Sequence, residues 1–239
     1  MILAILQARM SSTRLPGKVL RPLAGAPMIL RQIERTRRSR LISRLVVATS
    51  DEKTDDVLMD VLEGQGVEVF RGPLEDVLAR YLGALEAKGP AEHVVRMTAD
   101  CPFIDWQVID AVIQAHLDAG ADYTANTWER RTFPKGLDVD IVRSGVLAEA
   151  AAEATDAYER EHVLPFIYRR PDRYRLQGFA QDRDEGELRW TVDLPEDHAF
   201  ASAVYDALYP ENPAFTSDDV RRFLTGRPDL ADAGGDRRI

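Results

Sequence analysis

The strongest constraint on how this chain can fold is an alternation in its first 120 residues. Short apolar runs at residues 2–6, 45–49, 67–70 and 94–98 take turns with helically spaced stretches at 28–38, 55–63, 74–86 and 108–117. Apolar runs this short, bounded by turn residues, read as strands buried on both faces, and apolar residues three and four apart read as amphipathic helices. Strand and helix repeated with short connections give a mostly parallel sheet sandwiched by helices, so the expected fold class is α/β. Beyond Gly120 the pattern loosens. Residues 122–126, 138–142, 173–179 and 188–192 read as strands, and 127–136 as a polar loop marked by Pro134 and Gly136. Residues 146–154 and 158–169 read as helices, the second ended or kinked by Pro165. Pro195 opens a helix to Leu208 beside Glu196 and Asp197, and Thr216 caps a last helix ahead of Asp218 and Asp219.

Length and composition narrow the possibilities. A chain of 239 residues, 45% hydrophobic, fits one large domain, expected over 1–225, with 226–239 as a tail. No apolar run reaches the ~18 residues of a membrane span. The opening MILAILQ is too short for a signal-peptide core and runs into Arg9 without a small-residue cleavage site, so a cytoplasmic protein is expected. A net charge of −9 argues against a nucleic-acid partner, which needs a basic face. Cys101 stands alone and can form neither an intramolecular disulfide nor a thiolate metal site.

Local charge departs from that acidic mean in one place. Arg9, Arg14, Lys18 and Arg21 crowd one stretch with no acidic residue until Glu34. The segment QARMSSTRLPGK, residues 7–18, directly follows the first strand, where open α/β sheets bind ligands. Backbone N–H groups, hydroxyls and cations are the parts that wrap a polyphosphate. The loop is neither a Walker A motif, since Val19 stands where the magnesium-binding hydroxyl would be, nor a GxGxxG turn. The plain alternative is a solvated basic turn punctuated by Pro16 and Gly17. Two carboxylates, Asp100 in MTADCPFID and Asp193 in RWTVDLPEDH, each follow a predicted strand. Alone, each is equally a helix cap, although Asp105 suits that role better than Asp100. Combined with the cationic loop in one sheet, they resemble a magnesium-nucleotide site. Other residues invite only structural readings. His93, His116 and His198 lack ligand spacing and read as surface or boundary residues; Cys101 and the three tryptophans read as packing; Asp51, Asp55 and Asp56 read as favourable charges at a helix start.

The same loop resembles the signature loop of the cytidylyltransferases that activate acidic sugars, the group holding CMP-3-deoxy-manno-octulosonate synthetase and CMP-sialic acid synthetase. In one register from Ile2 to about Leu224, VVATSDEKTDD, VFRGPLEDVLARY, RMTADCPFID, FPKGLDVDIV, EREHVLPFIYRRP and RWTVDLPEDH resemble the spore coat polysaccharide biosynthesis protein F family, a branch of that group. The resemblance implies a nucleotide-diphospho-sugar transferase fold and an extension, roughly 127–190, that pairs two subunits into a homodimer and binds the acceptor. It implies transfer of CMP from CTP to a nonulosonate-type sugar acid, with release of pyrophosphate, for surface polysaccharide. It further implies Mg2+ on Asp100 and Asp193, Arg9, Lys18 and Asp100 as catalytic residues with Arg9 and Lys18 on the triphosphate, Ala8 among the nucleotide-binding residues, and Ser11, Ser12 and Arg14 shaping the nucleotide-binding loop. Arg71, Asp76 and Arg80 fall where relatives read the base. On the acceptor side fall Lys135, Asp138, Asp140, Glu161 and His162, and strand alternation would put the two aspartates on one face. The carboxylate of a sugar acid needs a cation, and Lys135, His162 and Arg189 are candidates. Three other readings stay open: a nucleotide-sugar-dependent glycosyltransferase, although a sugar nucleotide has no γ-phosphate for a basic loop to hold; a nucleotidyltransferase using another acceptor, such as a phosphonate or a sugar phosphate; and a nucleotide-binding interaction module.

Overall fold

The computed structural model describes residues 1–231. Among the described residues nine strands are formed: β1 (Ile2–Gln7), β2 (Pro22–Leu23), β3 (Ala26–Pro27), β4 (Arg44–Ser50), β5 (Glu68–Gly72), β6 (His93–Thr98), β7 (Tyr123–Ala125), β8 (Asp140–Arg143) and β9 (Leu176–Gly178). The α-helices are α1 (Met28–Thr36), α2 (Asp56–Gly64), α3 (Val77–Lys88), α4 (Trp106–Ala119), α5 (Ser144–Glu153), α6 (Ala157–His162), α7 (Pro165–Tyr168), α8 (Pro195–Leu208), α9 (Ser217–Thr225) and α10 (Pro228–Ala231). Seven strands share one sheet in the order β5-β4-β1-β6-β8-β7-β9. All run parallel except β8, which lies antiparallel to both β6 and β7. The expected α/β sandwich is the observed architecture. No helix among the described residues is long and apolar enough to cross a membrane.

The first strand shows why these segments read as continuous apolar runs. Ala4 and Leu6 point into one layer, against Ile29 of α1 and Ile109 and Ile113 of α4. Leu3 and Ile5 point into the other, against Leu78 and Tyr81 of α3 and Leu147 of α5. A strand with helices on both faces has no solvent side to leave polar, and each fully buried aliphatic side chain contributes about 1.5–3 kcal/mol. A third cluster, in which Phe103 meets Trp190, Phe200, Tyr205 and Phe215, joins α8 and α9 to the ligand end of the sheet. The tryptophan reading holds for Trp190, which is 1% exposed within this cluster.

Several boundaries differ from expectation. Residues 188–192 form no strand among the described residues; Arg189 makes an isolated parallel bridge with Lys135, and the chain turns away toward Asp193. Gly136, at φ 108°, permits that contact, because a Cβ there would lie 2.9 Å from the Trp190 carbonyl carbon. The strand expected over 173–179 contracts to β9, since Arg173 and Tyr174 close turns onto the Arg170 carbonyl. The helix expected over 158–169 is two, split at Val163 (φ 73°) just ahead of Pro165. Asp105 and Thr216 cap α4 and α9, accepting from the Gln107 and Asp219 backbone N–H groups.

Candidate active site

The basic loop leaves the end of β1 and is held by backbone geometry and one buried carboxylate. Ala8 N–H donates to the Ala48 carbonyl at 3.1 Å, and Gly17 N–H to the Met10 carbonyl at 3.0 Å. Gly17 closes the turn in the left-handed region, φ 68°, where a Cβ carries a steric penalty. Asp55 is the anchor. It stands at the start of α2, as expected, yet is 0% exposed, and its Oδ1 accepts the Met10 N–H at 2.7 Å. Its Oδ2 accepts from the Thr49 hydroxyl at 2.9 Å, from the Ser50 N–H at 3.0 Å and from the Ser50 hydroxyl. Burial pushes this carboxyl up, but the hydrogen bonds from Ser50, Met10 and Thr49 outweigh it and hold it below the usual range. One side chain thus ties the loop after β1 to the end of β4.

Opposite the loop, two distant segments are drawn together. Val192 N–H donates to the Asp100 carbonyl at 2.8 Å, setting the turn after β6 beside the segment that leads into α8. Lys18 reaches between them: its Nζ donates to the Val192 carbonyl at 2.9 Å and to Asp193 Oδ1 at 3.0 Å, and lies 3.8 Å from Asp100 Oδ2. Arg14 also pairs with Asp193 Oδ1, at 2.9 Å. Asp193 Oδ2 accepts from Arg189 at 3.0 Å, and Arg189 also donates to Asp197 at 2.6 Å. Asp197 in turn accepts the N–H groups of Asp193 and Leu194, both at 2.8 Å, so the turn carrying Asp193 is rigidly built. Burial raises the Asp100 carboxyl, but the Lys18 ammonium and the Thr98 and Cys101 hydrogen bonds hold it below its ordinary value. Cys101 packs beneath the site, 4% exposed, with its thiol pushed well up by burial and by the Asp100 charge.

These two carboxylates suit a hard divalent cation. No group of three or more His, Cys, Asp or Glu among the described residues could hold a metal by protein ligands alone. Magnesium is commonly held by one or two carboxylates, completing its shell with water and phosphate oxygens. The carboxylates that could take that part in this cleft are Asp100 and Asp193, with the Lys18 ammonium between them at 3.8 and 3.0 Å.

Many of the residues singled out in the sequence converge here. Ala8, Arg9, Ser12, Arg14 and Lys18 line one cleft from the loop side; Asp100, Asp193, Glu161, His162 and Arg80 line it from the others. Arg80 is 2% exposed, with Nη1 donating to the Pro73 and Leu74 carbonyls, and burial lowers its pKa. Asp138 and Asp140 line an adjoining cavity, which shares Arg96, Thr98 and His162 with the first. Ser11, Arg71, Asp76, Lys135 and Arg189 border neither cavity. Arg71 is paired with Asp56 at 2.6 Å, while Asp76 caps α3 and pairs with Arg160 at 2.7 Å. Arg189 is 5% exposed and engaged by Asp193 and Asp197. Two residues escaped the sequence reading. Asp55 was hidden among helix-start acids, and Arg96 inside an otherwise apolar strand. His116 is also corrected: it is no boundary residue but 0% exposed, joined to His93 at 3.0 Å and to the Thr124 hydroxyl at 2.9 Å.

Comparison with known proteins agrees with this geometry. Residues 3–207 match the model of the cytidylyltransferase family. The chain is 38% identical over 237 residues to the spore coat polysaccharide biosynthesis protein SpsF of Bacillus subtilis, covering 96% of each. It is 38% identical over 183 residues to the 3-deoxy-manno-octulosonate cytidylyltransferase of Geobacter sulfurreducens, covering 76% of this chain and 70% of that one. A cytidylyltransferase structure from Leptospira borgpetersenii superposes with a TM-score of 0.90 at 28% identity, covering 100% of this chain and 98% of that one. At 17% identity, the CMP:2-keto-3-deoxy-manno-octonic acid synthetase structure shares the fold, with a TM-score of 0.65 over 88% of this chain and 99% of that one. A strand-end cationic loop facing paired carboxylates, carried on this sheet and in this sequence company, places the chain in the cytidylyltransferase family, whose members are CTP-dependent nucleotidyltransferases.

Proposed function

We propose that the enzyme transfers CMP from CTP to a nonulosonate-type sugar acid, releasing pyrophosphate, for surface polysaccharide synthesis. The observation that carries this reading is the convergence of Lys18 and Arg14 on Asp193, beside Asp100, at the ligand end of the sheet. The acceptor class follows the names of its relatives, a spore coat polysaccharide protein and 3-deoxy-manno-octulosonate cytidylyltransferases. In the reaction the acceptor hydroxyl attacks the α-phosphorus of CTP, in line with the departing pyrophosphate. The cleft needs no nucleophilic side chain for this; its residues position the reactants and stabilise charge. Arg9, Arg14 and Lys18 bind the β- and γ-phosphates and neutralise the charge that accumulates as the bond to the α-phosphorus breaks. Asp100 and Asp193 would hold magnesium, which when bound would supply Lewis acidity.

The second cavity, from Asp138, Asp140, His162 and the turn into α7, takes the sugar. Residues 127–190, which supply those side chains, form the acceptor-binding and subunit-pairing part of a single domain spanning 1–225. The homodimer predicts a light-scattering mass of about twice the 26.8 kDa chain; a particle of single-chain mass refutes it.

The decisive assay is pyrophosphate release with magnesium, testing CTP, UTP, GTP and ATP against a panel of sugar acids, with mass spectrometry of the product. Release confined to CTP plus an acid, giving a CMP-sugar, is expected. Silence across the panel, with cleavage of a nucleotide sugar in parallel, refutes the reading in favour of glycosyl transfer.

A further inference from the structure

The two cavities meet at Arg96, Thr98 and His162, which line both. Whatever part of an acceptor lies next to its attacking hydroxyl must pass this junction. Arg96 is an anomaly there. It sits on β6, one of the inner strands, in register with Ile5 of β1 on one side and Asp140 of β8 on the other. Its strand neighbours Val94 and Val95 are fully buried, the apolar filling such a position ordinarily carries. A guanidinium–carboxylate pair in this setting is weak evidence for stability, because desolvation offsets much of its attraction. A different use for the charge is therefore the more economical account of it.

The arginine is held at one corner only. Nη1 donates to Asp140 Oδ2 at 3.2 Å, while Nε is buried without a hydrogen-bond partner among the described residues. Asp140 is itself fixed by the Tyr123 hydroxyl, which donates to Oδ1 at 2.7 Å. The neighbouring carboxylate makes no claim on Arg96: Asp138 is taken by Arg131 through two parallel bonds of 2.5 and 2.9 Å. Two of the cations that could otherwise receive an acceptor carboxylate are placed elsewhere. Arg189 is buried against Asp193 and Asp197, and neither it nor Lys135 borders the two cavities. His162 lies against the Tyr158 ring, with centroids 4.2 Å apart.

We propose that Arg96 receives the carboxylate of the acceptor, with Asp140 as the positioning residue that holds its guanidinium at the junction of the two cavities. The assignment rests on the reading that the acceptor is a sugar acid. A planar fork pinned through one nitrogen, with donors left over, suits the two oxygens of a carboxylate better than a single hydroxyl.

The test compares wild type with Arg96→Gln and Arg96→Lys at saturating CTP. The probes are N-acetylneuraminate, 3-deoxy-manno-octulosonate and the carboxamide of each, with pyrophosphate release as the readout. Wild type should prefer acid over carboxamide by about a hundredfold in kcat/KM, the range of a hydrogen bond to a charged group. Arg96→Gln should collapse that preference below about tenfold, leaving the KM for CTP within about twofold, and Arg96→Lys should recover part of it. If Arg96→Gln leaves Asp140 too exposed to its own charge to fold, the double variant Arg96→Gln with Asp140→Asn removes both charges, and the same preference is read from it. A glutamine variant that keeps the acid preference, or that loses CTP affinity instead, overturns the role of Arg96 alone. A wild-type enzyme that uses neutral or phosphorylated acceptors and no acid overturns the sugar-acid reading and this assignment together.

Discussion

The anchoring of the basic loop by Asp55 can be tested by removing one oxygen. Asp55→Asn preserves volume and leaves a single acceptor where two now serve four donors, one from the loop and three from Thr49 and Ser50. With its oxygen toward Ser50, the new amide points N–H groups at the Met10 N–H; with its oxygen toward Met10, it faces the Ser50 N–H. Either way one buried backbone donor loses its acceptor, at about 1–3 kcal/mol, and the remaining bonds lose the strength a charged acceptor gives, so the total is about 2–4 kcal/mol. Against a typical stability of about 5–15 kcal/mol, the variant remains folded. The orientation that frees Met10 releases the loop from β4, and the KM for CTP should rise about tenfold to a hundredfold with it. Urea unfolding and pyrophosphate-release kinetics read the two effects separately. Because the carboxyl is held below its ordinary value, its contribution is complete above about pH 4 and is lost as pH falls through the folded-state value. The variant should therefore lack part of the wild type's loss of stability below pH 4. A variant that loses stability yet keeps the wild-type KM for CTP refutes the positioning argument, and one that loses neither refutes the accounting of the bonds.

Further expectations follow from the same geometry. Lys18→Ala should weaken CTP binding more than CMP binding in calorimetry; equal losses refute its role on the leaving group. Asp100→Ala should abolish turnover while leaving the near-ultraviolet circular dichroism unchanged, and near-normal turnover in magnesium would sink its assignment as a ligand. His116 is held down to about pKa 4 by burial, by its neighbour His93 when that ring takes up a proton, and by the Arg143 charge. Its unfolded value is near 6.5, so the unfolded chain takes up the proton first, and stability present above that value declines as pH falls toward 4, by about 2–3 kcal/mol. Unfolding midpoints measured between pH 7 and 4 for wild type and His116→Gln check this; parallel curves refute it.

What was legible in the sequence depended on how local the cause was. β1, β4 and β6 announce themselves because helices cover both faces, which forces runs of apolar residues. The caps Asp105 and Thr216 act within three residues of themselves. The basic loop stood out by charge, and the strand-end aspartates by position. Asp55 and Arg96 were missed because what defines them is a distant partner. Nothing near Asp55 says that the Met10 N–H, 45 residues earlier, will meet it. Nothing near Arg96 says that a strand 44 residues later will run backward and set Asp140 opposite it. The segment 188–192 carries a strand's pattern, yet it joins no strand ladder among the described residues, because the turn that delivers Asp193 begins immediately after Arg189.

The placing of Lys18 against Asp193 also bears on the order in which the chain becomes competent. These residues are 175 positions apart, whereas the loop's bond to Asp55 spans 45. As a nascent chain lengthens, β1 can pair with β4 once residue 50 is free and with β6 after residue 98, completing the parallel half of the sheet. At that stage Lys18 and Arg14 face no Asp193. Contacts of such wide separation carry the largest closure entropy and belong late in assembly. The candidate site is accordingly among the last features the polypeptide completes, and a chain stopped short of residue 193 carries a shaped but unbalanced cationic loop.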